Sequence, residues 1–250
     1  MSSEHPTART PILCPTVSVV LPIYNEESCI AGVLDELVST LNARLGRPYE
    51  VLAVDDGSTD RTPEILRAAT ARHPALRVLR LSPNAGQSAA FCAGFRAARG
   101  DIIVTLDADG QNDPADIPTV VNRIGEDVDC CCGYRANRMD MASRRIASRL
   151  ANAVRNRALG ESIIDTGCSV KAFKAAFVRN LQPWDGLHRF LTSFVAMQGG
   201  RICQIPVNHR PRAAGKSKYT NWRRLQKTIR DLRGVVWLKS RTRRYKVEEC

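Results

Sequence analysis

Residues 101–111 read DIIVTLDADGQ, an apolar run that ends in two aspartates separated by one alanine. Such a run is typical of a strand that is buried on both faces of a sheet. Comparable runs occur at residues 16–21, 49–54, 76–81 and 129–134, and segments with apolar residues at a period near 3.6 lie between most of them. This alternation predicts an α/β fold with a mostly parallel sheet and helices on both of its faces.

Acidic residues follow three of these strands where the chain leaves the sheet. Ligands of such folds bind at the edge where the carboxyl ends of the strands meet. Asp107 and Asp109 repel each other when both are ionised, and a hard divalent cation would offset that repulsion. Asp56 ends the second strand and can accept hydrogen bonds from a base or ribose. The sequence therefore predicts a site for Mg²⁺ or Mn²⁺ and a diphosphate, and a solvated acidic turn is the alternative.

The positive charge of the chain is concentrated in its last fifth. Residues 201–250 hold 15 Lys and Arg against three Asp and Glu, and they account for the whole net charge of +12. This asymmetry indicates an anionic partner: acidic lipid, a phosphorylated substrate or nucleic acid. The alternative is a basic face that serves only solubility. No nucleic-acid-binding motif accompanies the charge, so we expect no nucleic acid partner.

Two segments, residues 141–159 and 219–238, combine basic residues with an apolar stripe at helical spacing. Trp222 and Trp237 lie among the arginines of the second segment, a combination that favours the level of lipid headgroups. No stretch reaches the ~20 apolar residues that span a bilayer, and residues 1–15 do not resemble a secretory signal. We therefore expect a cytoplasmic protein held peripherally on an anionic membrane surface. Alternatively, the helices pack their apolar stripes on the domain.

The cysteines and histidines give a weaker signal. Cys130, Cys131 and Cys132 are consecutive, so on a strand their side chains alternate between the two faces and cannot converge on one ion. We expect reduced, buried thiols. His188 and His209 have no evident partner in the sequence and are interpreted as structural.

Six short motifs occur in the order and spacing of one enzyme family. They are PIYNEE (22–27), VDDGSTD (54–60), LDADGQNDP (106–114), CGYR (132–135), DTGCSVKAF (165–173) and AAGKSKY (213–219). On these motifs the chain resembles the family 2 glycosyltransferases with the GT-A fold, a Rossmann-like architecture. Within that family it is similar to dolichol-phosphate mannosyltransferase and the bacterial polyprenyl-phosphate glycosyltransferases. The resemblance covers approximately residues 17–232.

The resemblance implies an inverting enzyme that transfers a sugar from a UDP- or GDP-linked donor to a polyprenyl phosphate, with Mg²⁺ or Mn²⁺ as cofactor. Asp107, Asp109 and Arg135 would be catalytic, with Asp109 as the metal ligand. Arg135 and Arg144 would bind the acceptor phosphate. Contacts to the nucleotide sugar would come from Pro22, Tyr24, Glu26, Val54, Asp56, Asp107, Ala108, Gln111, Arg212 and Lys218.

The same resemblance implies a division of the chain. Residues 16–218 would form the GT-A domain, including an interface helix at about 141–159. Residues 1–15 would be an N-terminal extension, and residues 219–250 a basic amphipathic helix and tail. The identity of the sugar, the base, the length of the polyprenol and the oligomeric state stay open. A family 2 enzyme with a non-lipid acceptor is an alternative, and a non-enzymatic basic nucleic-acid-binding protein is a remote one.

Overall fold

The structure is a computed structural model that describes residues 16–136, 142–210 and 221–243. In this part of the chain, seven strands form one sheet with the order β3-β2-β1-β4-β6-β5-β7. The strands are β1 (Val17–Ile23), β2 (Tyr49–Asp55), β3 (Leu76–Arg80), β4 (Ile102–Thr105), β5 (Cys130–Arg135), β6 (Lys171–Lys174) and β7 (Ile202–Val207). Neighbouring strands are parallel except that β6 runs antiparallel to both β4 and β5. The carboxyl ends of the other six strands therefore share one edge of the sheet.

Helices cover both faces of the sheet. They are α1 (Ile30–Arg44), α2 (Thr62–Arg72), α3 (Gln87–Ala97), α4 (Ile117–Val121), α5 (Ala142–Leu159), α6 (Ala175–Val178), α7 (Leu191–Met197) and α8 (Asn221–Arg241). One core cluster joins the apolar sides of α1, α2 and α4 to one face, and a second joins α3, α6 and α7 to the other. The alternating side chains of the strands supply both clusters, which is why their sequences are apolar throughout.

Helix α3 lies unusually close to the sheet because it carries a glycine at the contact. A Cβ atom on Gly94 would stand 2.3 Å from Cγ1 of Val20 on β1. A larger residue would force the helix away from the strand. Helix α3 begins at Gln87, whose side chain donates to Asp107 at the carboxyl edge of the sheet.

Helices α5 and α8 contact each other and close a third, smaller core. Leu159 of α5 and Val235 of α8 are buried there with Phe190 and Met197. Six of the seven exposed large apolar side chains among the described residues lie on these two helices or just after α5: Leu150, Val154, Ile164, Ile229, Trp237 and Leu238. No helix in the described part of the chain is long and apolar enough to cross a membrane.

The predicted fold class is confirmed, because the sheet is mostly parallel and helices flank both faces. The two basic segments are helical, as predicted, at Ala142–Leu159 and Asn221–Arg241. The sequence did not predict the antiparallel strand β6. On β5, the Sγ atoms of Cys130 and Cys132 lie 3.4 Å apart on one face while Cys131 joins the other core. All seven cysteines of the described residues are free thiols.

Candidate active site

The loops that follow β1 and β2 are fastened to each other at the carboxyl edge. The backbone N–H of Asn25 donates to Oγ of Ser58 at 3.0 Å, and the N–H of Thr59 donates back to Oδ1 of Asn25 at 2.8 Å. Asn25 adopts a φ of 54°, in the left-handed region that asparagine tolerates better than most residues. The N–H of Glu26 reaches Oγ1 of Thr62 at 3.0 Å. These reciprocal bonds join two strand ends into one platform, on which Tyr24 is exposed.

The carboxylate of Asp56 is buried beneath this platform and organises the chain that leads into α3. It accepts hydrogen bonds from the N–H groups of Ala85 and Gly86, both at 2.8 Å, and from Nδ2 of Asn84 at 3.0 Å. Three donors on one carboxylate lock the 84–86 loop beside the second strand end. The side chain of Val54 is fully buried in the core, so only its backbone can face a ligand.

Asp107 and Asp109 stand at the centre of the edge, just past β4. Oδ1 of Asp107 accepts from Nε2 of Gln87 at 3.0 Å, and Oδ1 of Asp109 accepts from the N–H of Gln111 at 3.1 Å. Burial raises the pKa of Asp107, and repulsion from Asp109 raises it further. The site thus concentrates negative charge that its own residues do not fully compensate. This is the electrostatic condition that a cation relieves.

A thiol closes the space between Asp109 and the first loop. Sγ of Cys29 approaches Oε2 of Glu26 at 3.3 Å and the carbonyl oxygen of Ala108 at 3.5 Å. Burial raises the pKa of Cys29 to about 11, and the hydrogen bond and charge of Glu26 contribute to the rise. Cys29 is therefore a protonated donor at neutral pH. It connects Glu26 to the Asp107–Ala108–Asp109 turn.

The segment before β6 forms the opposite wall. Oγ1 of Thr105 donates to the carbonyl of Ser169 at 2.5 Å, and Nδ2 of Asn112 donates to Oγ of Ser169 at 2.8 Å. The buried ammonium of Lys171 donates to the carbonyl of Cys168. The hydrogen bond from Ser169 and the positive charge of Lys171 both act to lower the pKa of Asp107, but burial outweighs them.

These walls enclose a recess of about 40 Å³. It is lined by Asp107, Asp109, Gln111, Asn112, Arg135, Gly167, Cys168, Ser169 and His209. A site needs only ~10–15 Å³ of such space to hold one water molecule, so the recess has room for an ion. The described residues contain no group of three or more His, Cys, Asp or Glu that could hold a metal by themselves. Mg²⁺ commonly takes one or two carboxylates and completes its shell with phosphate oxygens and water.

Arg135 enters the recess from the end of β5. Its Nε donates to Oδ2 of Asp165 at 2.7 Å, and its Nη2 donates to Oδ1 at 2.9 Å. Both side chains are mostly buried, 15% and 7% exposed. A planar bidentate pair of this kind fixes the guanidinium in one orientation.

The residues that form this site also match a known protein family. Residues 18–181, which include the platform, the aspartate turn and the Arg135–Asp165 pair, match the family described as Glycosyl transferase family 2. The match covers more than half of the chain. The chain belongs to this family.

Individual relatives of the chain agree with this family assignment. The chain is 40% identical over 210 residues to undecaprenyl-phosphate 4-deoxy-4-formamido-L-arabinose transferase of Pseudomonas paraeruginosa, covering 84% of this chain and 62% of that protein. It is 38% identical over 232 residues to dodecaprenyl-phosphate galacturonate synthase of Rhizobium johnstonii, covering 91% and 68%. The chain thus spans 62% of the length of the undecaprenyl-phosphate relative.

Solved structures share the fold of this chain. Glucosyl-3-phosphoglycerate synthase from Mycobacterium tuberculosis, in complex with Mn²⁺, UDP and glucosyl-3-phosphoglycerate, superimposes with a TM-score of 0.68. The superposition covers 90% of this chain and 80% of that one at 22% identity. A second structure of that synthase holds Mg²⁺ and UDP, with a TM-score of 0.66. At this identity the likeness establishes the GT-A fold.

The structure brings several of the predicted site residues together. Asp107, Asp109, Gln111 and Arg135 line one recess. Arg212 and Lys218 lie outside the described residues. Arg144 belongs to α5, and its side chain is also outside the described part of the structure.

The sequence missed other residues of the recess. Ser169 and His209 line the recess, and Asp165 holds the arginine that enters it. Asp165 and Ser169 lie in the motif at residues 165–173, but the sequence alone assigned no role to either of them. A signal was available for His209, because it follows β7 by two residues and therefore stands at a strand end. His188 has a partner, Oγ of Ser88, 2.9 Å from its Nδ1.

Proposed function

We propose that this glycosyltransferase transfers a sugar from a nucleoside diphosphate sugar to a polyprenyl phosphate, with Mg²⁺ or Mn²⁺ bound at Asp109. The observation that carries the proposal is the recess itself. Two neighbouring carboxylates, Asp107 with a pKa raised by burial and Asp109, and one oriented guanidinium line the same recess at the carboxyl edge of the sheet. The two relatives above are an undecaprenyl-phosphate transferase and a dodecaprenyl-phosphate synthase, and this similarity supports the choice of acceptor.

The chemistry needs little acid–base help, because a phosphate monoester has a second pKa near ~6 and is already a nucleophile at neutral pH. An oxygen of the acceptor phosphate forms the new bond to the anomeric carbon. The bond from that carbon to the diphosphate breaks, and the nucleoside diphosphate leaves with the electron pair. Direct in-line displacement inverts the anomeric centre.

The main obstacle is repulsion between the two phosphate groups. Two unit charges about 4 Å apart repel by about 4 kcal/mol at an effective dielectric near 20. A divalent ion at Asp109 would offset the charge of the leaving diphosphate. On the other flank, the guanidinium of Arg135 would hold the acceptor phosphate, since its planar N–H groups match phosphate oxygens. Gln87 and Ser169 keep Asp107 in place between these two groups.

The reaction is tested by incubating the protein with Mn²⁺, a short polyprenyl phosphate and a panel of labelled UDP- and GDP-sugars. We expect label in the lipid phase with at least one donor. Asp109→Asn should reduce turnover about 1000-fold and abolish the rise in Tm produced by the nucleotide with Mn²⁺. Asp127→Asn is the control, because this aspartate is 95% exposed at the amino end of β5. If label accumulates only in a water-soluble product, the acceptor is a soluble molecule and the proposal of a lipid acceptor is wrong.

We propose further that α5 and α8 rest on an anionic membrane surface, where the lipid acceptor resides. Arg233, Trp237 and Arg241 recur at four-residue intervals on α8 and are all exposed. Exposed Leu150 and Val154 form an apolar stripe on α5. Basic residues interleaved with exposed apolar ones are complementary to acidic headgroups over acyl chains.

The membrane proposal is tested by cosedimentation with vesicles of phosphatidylglycerol and phosphatidylcholine. Each basic residue near such a surface contributes about 1 kcal/mol, so the charge reversal Arg233→Glu should weaken binding about 30-fold. Arg67→Glu is a matched control, because Arg67 is an exposed arginine on α2 and the change in net charge is identical. Equal weakening by both variants, or tight binding to pure phosphatidylcholine, would contradict the proposal. If the wild type is a dimer and Arg233→Glu is a monomer, the surface binds a second copy of the chain and not a membrane.

A further inference from the structure

Asp165 makes more polar contacts than a simple ion pair requires. Besides the two bonds from the guanidinium of Arg135, it accepts the backbone N–H of Arg135 at 3.3 Å and that of Gly167 at 3.1 Å. It is 5% exposed. A carboxylate with four donors keeps its charge and its orientation even though it is buried. Asp165 therefore connects the end of β5 to the segment before β6 in one fixed geometry.

The space beside the guanidinium is shaped for this pair. A Cβ atom on Gly167 would stand 3.0 Å from Nη2 of Arg135 and 3.5 Å from Oδ1 of Asp165. A side chain at position 167 would therefore press on the guanidinium and touch the carboxylate. Glycine lets the backbone pass close to the guanidinium without displacing it.

Helix α5 clamps the segment that carries Asp165. Nδ2 of Asn152 donates to the carbonyl of Ile164 at 2.9 Å, and Oδ1 of Asn152 accepts from Oγ1 of Thr166 at 2.8 Å. One asparagine side chain thus holds the residues on both sides of Asp165. The helix that we place on the membrane is in this way connected to the orientation of Arg135.

We infer that Asp165 is a positioning residue that aims the guanidinium of Arg135 at the acceptor phosphate, an inference that rests on the proposed function. Asp165 occupies Nε and one hydrogen of Nη2, which are two of the five N–H groups of a guanidinium. These two bonds fix the plane of the guanidinium and therefore the directions from which it can bind a phosphate. The negative charge of Asp165 offsets the positive charge of Arg135 and so weakens its attraction for a phosphate. Asp165 can therefore assist acceptor binding only by fixing the orientation of the guanidinium. Its removal should affect acceptor use and leave donor binding unchanged.

The test uses the full chain with the active donor, Mn²⁺ and a short polyprenyl phosphate. Asp165→Asn should raise the KM for the polyprenyl phosphate about 100-fold, the effect of a displacement of about 1 Å in a reacting site, with the KM for the donor unchanged. Asn152→Ala should also raise the KM for the polyprenyl phosphate, by a smaller factor than Asp165→Asn. Glu50→Gln, which removes a buried carboxylate at the opposite edge of the sheet, controls for destabilisation and should leave both KM values as in the wild type.

A double-mutant cycle separates positioning from a general structural role. In an Arg135→Ala background, the further change Asp165→Asn should have no effect on acceptor use, because Asp165 acts through Arg135. Additive losses, or equal losses for donor and acceptor, would overturn the inference. A lower KM in Asp165→Asn would also overturn it, since Asp165 would then compete with the phosphate for Arg135.

Failure of the proposed function is distinguishable from failure of this inference. If the wild type forms no lipid product with any donor, the proposed function fails by itself. Binding of farnesyl phosphate, measured by calorimetry, then decides the inference. Weaker binding to Asp165→Asn than to the wild type supports a positioning role toward a phosphate, and unchanged binding contradicts it.

Discussion

Two mostly buried carboxylates at opposite edges of the same sheet differ in how completely the protein compensates them. Glu50, at the amino edge, accepts from Oγ of Ser18 at 2.7 Å, from the N–H of Arg99 at 2.6 Å and from Nη1 of Arg77. Burial alone would raise the pKa of Glu50, but these donors more than offset it, so its pKa is lowered. At the carboxyl edge, burial raises the pKa of Asp107, and Asp109 adds to the rise.

The difference separates a group that stabilises the fold from one that is prepared for a ligand. The network around Glu50 connects β1, β2, β3 and the turn before β4, so its ionised form contributes to the folded state. Asp107 costs stability in the absence of a cation, and that cost is consistent with a site selected for binding. The comparison predicts opposite signs when the two carboxylates are neutralised by substitution.

The largest effect on stability is expected for Glu50→Gln. Neutralising Glu50 leaves the guanidinium of Arg77 with the carbonyl of Ala97 but without its charged partner, and should lower the free energy of unfolding by about 4 kcal/mol. Denaturant unfolding monitored by circular dichroism measures the change. Glu64→Gln is the control, because the Arg61–Glu64 pair lies on the surface of α2 and such pairs contribute about 1 kcal/mol or less. A loss no larger for Glu50→Gln than for the control would remove the basis of the comparison.

Local sequence accounts for some of these features and not for others. The apolar runs of β1, β2 and β4 and the aspartates at their ends are local patterns, so the sheet and the Asp107–Asp109 turn could be predicted. Strand β6 reads KAFK and has no such run. Its position between β4 and β5 is determined by antiparallel pairing with both, which is a long-range property.

The side-chain partners in the site are equally long-range. Asp165 lies 30 residues from Arg135, with helix α5 between them, and Glu50 lies 49 residues from Arg99. Nothing near Asp165 in the chain indicates which of the many arginines it contacts. Residue types at strand ends were therefore predictable, whereas the pairs that orient them required the fold.

The pKa of His188, a partly buried side chain near the carboxyl edge, predicts a pH dependence of stability. His188 bonds to Ser88, the residue that follows Gln87, the partner of Asp107. Burial lowers the pKa of His188 from 6.5 to about 4; the charges of Arg189, Lys171 and Lys227 also lower it, and Asp185 opposes them. The unfolded chain therefore binds the proton more readily, and stability falls as the pH drops below about 6.5. Between pH 7.5 and 5 this group should cost about 2 kcal/mol.

Substitution isolates the contribution of His188 from the carboxylates that titrate at lower pH. His188→Gln keeps a side chain that can accept from Ser88 but does not titrate. The wild type should lose about 2 kcal/mol more than this variant between pH 7.5 and 5, as measured by urea unfolding at each pH. If the free energy of unfolding falls equally with pH in the two proteins, protonation of His188 does not destabilise the folded state.

The smallest expected change has the opposite sign from that of Glu50→Gln. Asp107→Asn removes a carboxylate whose ionised form is opposed by burial and by Asp109, and the amide can still bond to Gln87. The variant should therefore be more stable than the wild type by about 1 kcal/mol, the usual size of a gain at a functional site, while losing turnover. Thermal unfolding in the presence of EDTA measures the stability.

Added Mn²⁺ with the nucleotide should raise the Tm of the wild type more than that of Asp107→Asn, because only the wild type offers the ion both carboxylates. A variant less stable than the wild type in EDTA would mean that Asp107, like Glu50, is compensated by the fold itself, and the distinction between the two edges would be lost.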